Sequence, residues 1–133
     1  MTGLLIVTHA DFARGLLNAA ESVLGDLDRV ETVCIGRQDS LDTIKEQIAL
    51  SLEHLDADKR GAIILTDMFG GTPSNLSMHH LDPGRVEVVS GVNLPMVLKF
   101  FSKRNTMPVG DIARLLRDYG QRSICLASDY LKK

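Results

Sequence analysis

The chain has 133 residues, which predicts one domain on the rough figure of ~150 residues per domain. Fifteen Lys and Arg residues against seventeen Asp and Glu give a net charge of −2, so the chain lacks the broad positive field of a non-specific nucleic-acid binder. Hydrophobic residues make up 44% and charged residues 24%, which excludes a disordered chain. No apolar run approaches the ~20 residues that cross a bilayer, and the first residues lack the basic segment of a signal peptide. We therefore expect neither nucleic-acid binding nor membrane insertion.

Short apolar runs alternate with helical periods in the first half of the chain. Leu4 to Thr8 and Val30 to Ile35 predict two strands, because they are compact and lack a helical period. Apolar residues between them recur at three and four positions and predict a helix that Gly25 ends. Asp39 and Ser40 then offer caps for a second helix. The recurring apolar residues of the first helix are Phe12, Leu16, Leu17, Ala20, Val23 and Leu24, and the expected buried stripe of the second is Leu41, Ile44, Ile48, Leu52 and Leu55.

The second half continues the alternation. Ala62 to Thr66 and Val86 to Ser90 predict a third and a fourth strand, and Ser123 to Ala127 predicts a closing strand. Three helices lie between them: one starts with a Thr72 cap and Pro73, one has Pro95 in its first turn, and one carries Ile112, Leu115, Leu116 and Tyr119 and ends at Gly120. This order predicts a single α/β domain over residues 1–133, doubly wound, with a mostly parallel sheet and helices on both faces.

The carboxyl ends of the strands are where such sheets bind ligands. His9 follows the first strand and Asp67 follows the third. An imidazole can be a neutral nucleophile at cellular pH, and a carboxylate bonded to one ring nitrogen leaves the other free to attack. A histidine or an aspartate in such a loop is more often an ordinary structural residue when it stands alone. We expect the predicted topology to bring His9 and Asp67 together as nucleophile and orienting group.

A glycine pair leads directly into a predicted helix on the same rim. Glycines let backbone N–H groups approach a ligand, and a helix start presents unpaired donors to an anion. A plain tight turn is the alternative interpretation of the pair. Hydroxyl groups nearby favour a phosphoryl-binding loop, although the loop lacks the lysine of a nucleotide-binding P-loop. The candidate phosphoryl-binding residues are Thr66, Gly70, Gly71, Thr72 and Ser74.

The remaining reactive side chains carry weaker signals. His79 and His80 are adjacent and so point in different directions on a helix, which makes metal chelation a poor interpretation; no metal or other cofactor is expected. His54 lies near another helix end. Cys34 and Cys125 are expected to be reduced thiols in apolar strands of a cytoplasmic protein. Two further loop residues, Met68 and Phe69, belong to the core or to a partner-docking surface.

Three segments, IVTHADFARGLL, TDMFGGTPSN and SGVNLPM, fall on three predicted strand ends. In this order and spacing they resemble the mannose-family IIA component of the phosphoenolpyruvate-dependent sugar phosphotransferase system, and the resemblance covers essentially the whole chain. It implies a stand-alone IIA domain and a phosphotransferase that needs no metal. It also implies a homodimer in which the last strand, here Ser123 to Ala127, forms an antiparallel edge of the partner's sheet.

The resemblance assigns roles to the rim. His9 would take a phosphoryl group from the carrier HPr and pass it to a histidine of IIB, while Asp67 holds the Nδ1 proton so that Nε2 reacts. Residues matching Thr66 and Thr72 are expected to bind phosphoryl oxygens. The family usually has Gly after its active histidine, where this chain has Ala10. A modest effect of that methyl group on rate or partner choice is expected.

Two other functions stay open. The same fold can be a regulatory phosphoprotein that moves no sugar. A receiver-like domain phosphorylated on Asp67 is a weaker alternative, because that chemistry needs several carboxylates around Mg²⁺ and the first strand end offers only Asp11. The sugar itself is not encoded in a IIA component, since selectivity lies in the membrane components.

Overall fold

A computed structural model of the chain describes residues 1–131. Its centre is a four-stranded sheet in the order β2-β1-β3-β4, with every neighbouring pair parallel. The strands are β1 (Gly3–His9), β2 (Val30–Ile35), β3 (Ala62–Thr66) and β4 (Val86–Ser90). The chain runs outward in one direction from β1 and in the other from β3, so the strand order reverses between these two central strands. This confirms the predicted α/β class and places the switch point between β1 and β3.

Helices connect the strands. They are α1 (Phe12–Leu24), α2 (Leu41–His54), α3 (Ala57–Arg60), α4 (Thr72–Ser77), α5 (Leu94–Lys103), α6 (Val109–Arg122) and α7 (Ala127–Leu131), with a 3-10 turn at Met78–His80. The five longer predicted helices are confirmed, whereas α3, α7 and the turn are too short to leave a periodic signal. Among residues 1–131, no helix combines the length and the apolar character that crossing a membrane requires.

The sheet is buried on both faces, which is why β1 and β3 consist of continuous apolar runs. Alternate residues of each strand face opposite sides. Leu4 and Ile6 join the cluster formed with α1, α5 and α6, whereas Leu5 and Val7 join the cluster formed with α2 and α4. All four of these side chains are completely buried. Each contributes about 1.5–3 kcal/mol of burial free energy, so the two central strands form a rigid base for their carboxyl ends.

Two of the predicted helix ends are confirmed. Gly25 ends α1 with a φ of 86°, and the Ser40 hydroxyl caps α2 by accepting the Thr43 N–H at 3.1 Å. The predicted Thr72 cap is wrong. Gly71 occupies the cap position of α4, and Thr72 is the first residue inside the helix. Gly71 is half-buried in an extended cap conformation and, as a glycine, contributes no side chain to the loop.

The prediction that Gly120 ends the last long helix is also wrong. Gly120 lies inside α6, which continues to Arg122. A Cβ atom at this position would come within 2.5 Å of the Met96 Sδ on α5. The glycine is therefore explained by the close approach of α5 and α6 and not by a chain reversal.

The predicted closing strand at Ser123 to Ala127 does not form. Residues 124–126 have no regular structure and α7 begins at Ala127, with Ile124 81% exposed and Leu126 65% exposed. A strand needs a neighbour that satisfies its backbone hydrogen bonds, and no strand within residues 1–131 pairs with the segment. For the same reason Cys125 is exposed instead of buried, whereas Cys34 is half-buried against the core.

The amino ends of the strands are fastened by one buried side chain, Arg104 at the end of α5. Its guanidinium donates to the Thr2 carbonyl at 2.8 and 3.1 Å, to the Asp28 carbonyl at 2.9 Å and to the Arg29 carbonyl at 3.0 Å. Burial lowers the pKa of Arg104 and the nearby Asp28 carboxylate opposes that shift. The rings of Phe100 and Phe101 lie about 5 Å from the guanidinium carbon. The bonds join α5 to the segments that lead into β1 and β2.

Candidate functional site

His9 and Asp67 meet at the carboxyl rim of the two central strands. His9 is the last residue of β1, and Asp67 directly follows β3. Val7 lies opposite Thr66 in the parallel pairing of these strands, so the two chain ends leave the sheet side by side. The structure thus confirms the predicted proximity, although 58 residues of sequence separate the pair.

The Asp67 carboxylate binds His9 twice. Its Oδ2 lies 2.8 Å from the imidazole Nδ1 and also accepts the His9 backbone N–H at 2.9 Å. The other oxygen, Oδ1, accepts the Met68 backbone N–H at 2.9 Å. The Asp67 side chain is 13% exposed, whereas the His9 side chain is 51% exposed. The carboxylate is therefore held from three directions, while the imidazole it orients remains open to a partner.

The charge state of Asp67 decides which ring nitrogen of His9 is free. Burial raises the pKa of the carboxyl group, but the hydrogen bonds from the His9 backbone and ring, the His9 charge and the Met68 N–H together outweigh it, so the pKa is lowered from 3.8. At neutral pH the carboxylate is ionised and can only accept hydrogen bonds. The Nδ1 atom that faces it must carry the proton, which leaves the lone pair on Nε2.

The glycine pair lies against the imidazole. A Cβ atom built on Gly71 would stand 3.0 Å from the His9 Cε1 and 3.7 Å from Nε2. This is tighter than nine in ten real Cβ contacts, so an alanine at position 71 would require the ring to move by a few tenths of an ångström. Gly70 serves a different purpose: its φ of 88° is left-handed, a Cβ there would meet nothing within 4 Å, and its carbonyl accepts from the Asn75 side chain at 3.3 Å. Gly71 provides space for the ring, and Gly70 provides the turn.

The predicted hydroxyl groups divide into two sets. Thr66 and Ser74 are fully buried, and both bind the Ser90 hydroxyl: Thr66 Oγ1 donates to Ser90 Oγ at 2.7 Å, and Ser90 Oγ donates to Ser74 Oγ at 3.3 Å. Thr72, which directly follows Gly71, is half-buried. The sequence reasoning did not assign a role to Ser90. The signal was its position at the end of β4, directly opposite Thr66 in the pairing of β3 with β4.

The residues on either side of His9 fix the backbone at the end of β1. The Thr8 hydroxyl is buried, accepts the Ala13 N–H at 2.7 Å and donates to the His9 carbonyl at 3.1 Å. Ala10 donates its N–H to the Ile35 carbonyl at 2.8 Å and has a φ of 50°. The left-handed conformation is favourable for glycine and strained for alanine. The departure from the family pattern at position 10 therefore falls on a residue with an unusual backbone.

Other histidines lack this arrangement. His54 Nδ1 lies 3.5 Å from the Glu31 carboxylate on the surface. His79 and His80 occupy the 3-10 turn, and burial together with the His79 charge lowers the pKa of His80. Across residues 1–131, no group of three or more His, Cys, Asp or Glu side chains could hold a metal ion.

Three large apolar side chains close in sequence to His9 and Asp67 are exposed. Phe69 is 78% exposed, and Met68 and Phe12 are about half exposed. Met68 and Phe69 stand in the loop between Asp67 and the glycine pair, so they are not core residues. The structure therefore excludes the core interpretation of Met68 and Phe69, and the partner-docking interpretation stays a prediction.

Comparison with known sequences finds relatives along most of the chain. The family model EIIA-man, described as "PTS system fructose IIA component", matches residues 3–116. The fructose-specific EIIA component of Bacillus subtilis is 26% identical over all of this chain and 91% of its own length. The mannose-specific EIIAB component of Escherichia coli K12 is 32% identical over 81% of this chain, which corresponds to 33% of that longer protein.

Solved structures share the fold. The phosphotransferase system component EIIA from Streptococcus agalactiae superimposes with a TM-score of 0.87 at 24% identity, covering 97% of this chain and 99% of that one. The PTS IIA protein associated with the fucose utilization operon of Streptococcus pneumoniae gives a TM-score of 0.84 at 25% identity, covering 98% and 96% of the two chains. The chain therefore belongs to the mannose-type EIIA family of the sugar phosphotransferase system, whose members have a general phosphotransfer role.

Proposed function

We propose that this protein is a cytoplasmic phosphohistidine carrier that accepts a phosphoryl group from HPr on His9 Nε2 and passes it to a histidine of a IIB component. The observation that carries the proposal is the 2.8 Å contact between His9 Nδ1 and the ionised Asp67 carboxylate, on an imidazole that is half exposed. It leaves a single nucleophilic nitrogen, and that nitrogen is accessible to another protein.

The transfer step follows from this geometry. The Nε2 lone pair attacks phosphorus, the bond between phosphorus and the donor histidine nitrogen breaks, and its electron pair returns to the donor ring. The Nδ1 proton stays on His9, so positive charge develops on the ring, where the Asp67 carboxylate at 2.8 Å offsets it. Both partners are phosphohistidines, so the reaction requires alignment and charge neutralisation more than covalent machinery. Passing the group to IIB is the same step in reverse order.

The phosphoryl oxygens need hydrogen-bond donors beside Nε2. Gly71 is the residue nearest to that atom among the glycines, and within residues 1–131 the backbone N–H groups of Gly70, Gly71 and Thr72 have no hydrogen-bond acceptor. We assign the phosphoryl oxygens to these N–H groups and to the Thr72 hydroxyl. Thr66 and Ser74 would reach the group only if their bonds to the Ser90 hydroxyl opened.

The test is phosphorylation by phosphoenolpyruvate, enzyme I and HPr. Wild type should gain one acid-labile phosphate, His9→Ala should gain none, and His54→Ala should label like wild type. His54 is the matched control, since it too is an exposed histidine beside a carboxylate. Labelling that survives in His9→Ala, or that is acid-stable and sensitive to hydroxylamine, would contradict the proposal and favour Asp67 as the acceptor.

A transfer assay with a IIB component distinguishes the relay function from the regulatory alternative. If the labelled protein transfers its phosphate to purified IIB of the mannose class, the relay function is supported. If it holds the phosphate in the presence of IIB and binds another protein in one phosphorylation state only, the regulatory alternative replaces it.

We also propose a homodimer. β4 is an edge strand, and a groove of about 460 Å³ runs beside it, lined by Phe69, Met78, residues 87–90 and the α6 side chains Arg114 and Arg117. Ile124 and Leu126 are exposed and have no partner strand in the described part of the chain. Packing this segment onto the groove of a second copy would cover both surfaces. Light scattering should give twice the chain mass for wild type and a monomer for Ile124→Asp/Leu126→Asp, whereas a monomeric wild type would contradict the dimer.

A further inference from the structure

Three hydroxyl groups form a connected chain beneath the loop that carries Asp67. Thr66 Oγ1 on β3 donates to Ser90 Oγ on β4 at 2.7 Å, and Ser90 Oγ donates to Ser74 Oγ on α4 at 3.3 Å. Thr66 and Ser74 are essentially inaccessible to solvent. Because Ser90 occupies the middle, it is the residue that connects the other two.

The linked hydroxyl groups lie on both sides of the loop that joins β3 to α4. Thr66 immediately precedes Asp67, and Ser74 lies three residues after Gly71. The residues after β4 also bind Thr66 through the backbone, since the Thr66 carbonyl accepts the N–H groups of Gly91 and Val92 at 3.0 Å each. The Ser90 hydroxyl adds the connection from this strand end to α4, which the backbone bonds do not provide.

The two contacts that the loop makes with His9 tolerate little displacement. Asp67 Oδ2 lies 2.8 Å from Nδ1, and the ring approaches Gly71 so closely that a Cβ atom would be 3.0 Å from it. A shift of a few tenths of an ångström in the loop would weaken the first contact or close the second. Alignment of reacting groups is sensitive to displacements of this size.

We propose that Ser90 is a positioning residue for phosphoryl transfer, because its hydroxyl fixes both ends of the loop that presents Asp67 and Gly71 to His9. The proposal rests on the proposed function for its kinetic consequence. Ser90 acts through the loop and not by contact with the phosphoryl group. A purely structural role for Ser90 would lower the thermal stability of the protein and leave the imidazole and the rate constant of the folded protein unchanged.

The experiment compares Ser90→Ala with Ser77→Ala and Ser90→Thr. Ser77 is the matched control, because it lies on α4 like Ser74 and its buried hydroxyl has no hydrogen-bond partner among the described residues. Ser90→Thr retains the hydroxyl. All three variants are assayed at temperatures where circular dichroism shows them to be folded.

With phosphorylated HPr at saturation, Ser90→Ala should take up phosphate about tenfold more slowly while the HPr concentration for half-maximal rate stays near the wild-type value. Ser77→Ala should match wild type, and Ser90→Thr should recover most of the rate. In unphosphorylated Ser90→Ala, the Nδ1 proton of His9 should exchange faster with water by NMR. A wild-type rate and exchange in folded Ser90→Ala, or an equal loss in Ser77→Ala, would overturn the proposal. If wild type accepts no phosphate, the proposed function fails, and the exchange measurement still decides the role of Ser90.

Discussion

The two ends of the sheet use the same kind of bond for opposite purposes. At the amino end, the Arg104 guanidinium donates to the carbonyls of Thr2, Asp28 and Arg29 and is itself buried. At the carboxyl end, the Asp67 carboxylate accepts from His9 and Met68, but the imidazole it holds is half exposed. One charged side chain in each case ties together segments that are distant in sequence.

The difference lies in what is left without a partner. The amino end is closed around Arg104, whereas the carboxyl end keeps the His9 Nε2 atom free and, within residues 1–131, the N–H groups of Gly70 and Gly71 without acceptors. Polar groups at a surface that lack a protein partner can be solvated by water and stay available for chemistry. Changes to Arg104 at the amino end should therefore affect folding and spare transfer, and changes to the groups that hold His9 at the carboxyl end should mainly affect transfer.

The largest effect is expected for Asp67→Asn. The amide can donate to Nδ1 and so favour the tautomer with its proton on Nε2, which should slow phosphate uptake by up to about 10⁴-fold, the loss seen when asparagine replaces an aspartate that orients a catalytic histidine. The measurement is a single-turnover assay with phosphorylated HPr. Asp11→Asn changes an exposed carboxylate two residues after His9 and should retain the wild-type rate. An equal loss in both variants would contradict a specific role for Asp67.

Arg104→Ala should give the largest loss of stability. Removing the guanidinium leaves buried carbonyl oxygens with fewer donors and opens a cavity beside Phe100, which should cost about 2–4 kcal/mol in the free energy of unfolding. Urea titration measures this loss. Arg114→Ala removes an exposed arginine paired with Asp111 and should cost less than ~0.5 kcal/mol. If folded Arg104→Ala also transferred phosphate much more slowly, the separation between the two ends would be wrong.

The variants Gly71→Ala and Gly70→Ala distinguish the space that the His9 ring needs from the strain of a left-handed backbone. The methyl group at position 71 would meet the imidazole, so uptake should slow by about tenfold. The methyl group at position 70 meets nothing but is strained by the left-handed φ, so this variant should lose about 1 kcal/mol of stability. Uptake kinetics and urea titration of both variants test the contrast. Equal kinetic losses would indicate that the loop responds to any substitution.

The smallest effect is expected for Ala10→Gly. Glycine relieves the strain at a φ of 50° but increases the entropy of the unfolded chain, so a net stabilisation of about 0.5 kcal/mol is expected. The rate of phosphate uptake should change by less than about threefold, because the residue supplies no donor to the site. Thermal unfolding and uptake assays on one preparation measure both quantities. A destabilised variant would show that the alanine methyl group makes a favourable contact.

The elements and residues that the sequence revealed are those determined locally. The apolar runs of β1 and β3, the Ser40 cap and the glycine that ends α1 depend on neighbouring residues, and the topology rule then brought His9 and Asp67 to one rim. Gly120 and Ser90 could not be interpreted in this way. Their roles depend on Met96 and Thr66, which are 24 residues away in sequence and meet them only through helix packing or strand register.

The C-terminal segment is a case in which the sequence pattern predicted an element that the structure lacks. Residues 123–127 have the composition of a buried strand, yet Ile124 is exposed and the residues up to 126 form no regular structure. The pattern records that a side chain is apolar but not which surface covers it. A strand is specified by its neighbour as much as by its own residues, and the sequence of one chain does not identify that neighbour.

The central claim is that Asp67 holds the proton of His9 on Nδ1 and leaves Nε2 as the reacting atom. Nitrogen-15 NMR of the imidazole tests it most directly, because the two ring nitrogens give separate signals in each tautomer and in each phosphorylated form. We predict that the neutral tautomer carries its proton on Nδ1 before reaction and that a phosphorus–nitrogen coupling to Nε2 appears afterwards. A proton on Nε2, or phosphate on Nδ1, would contradict the account.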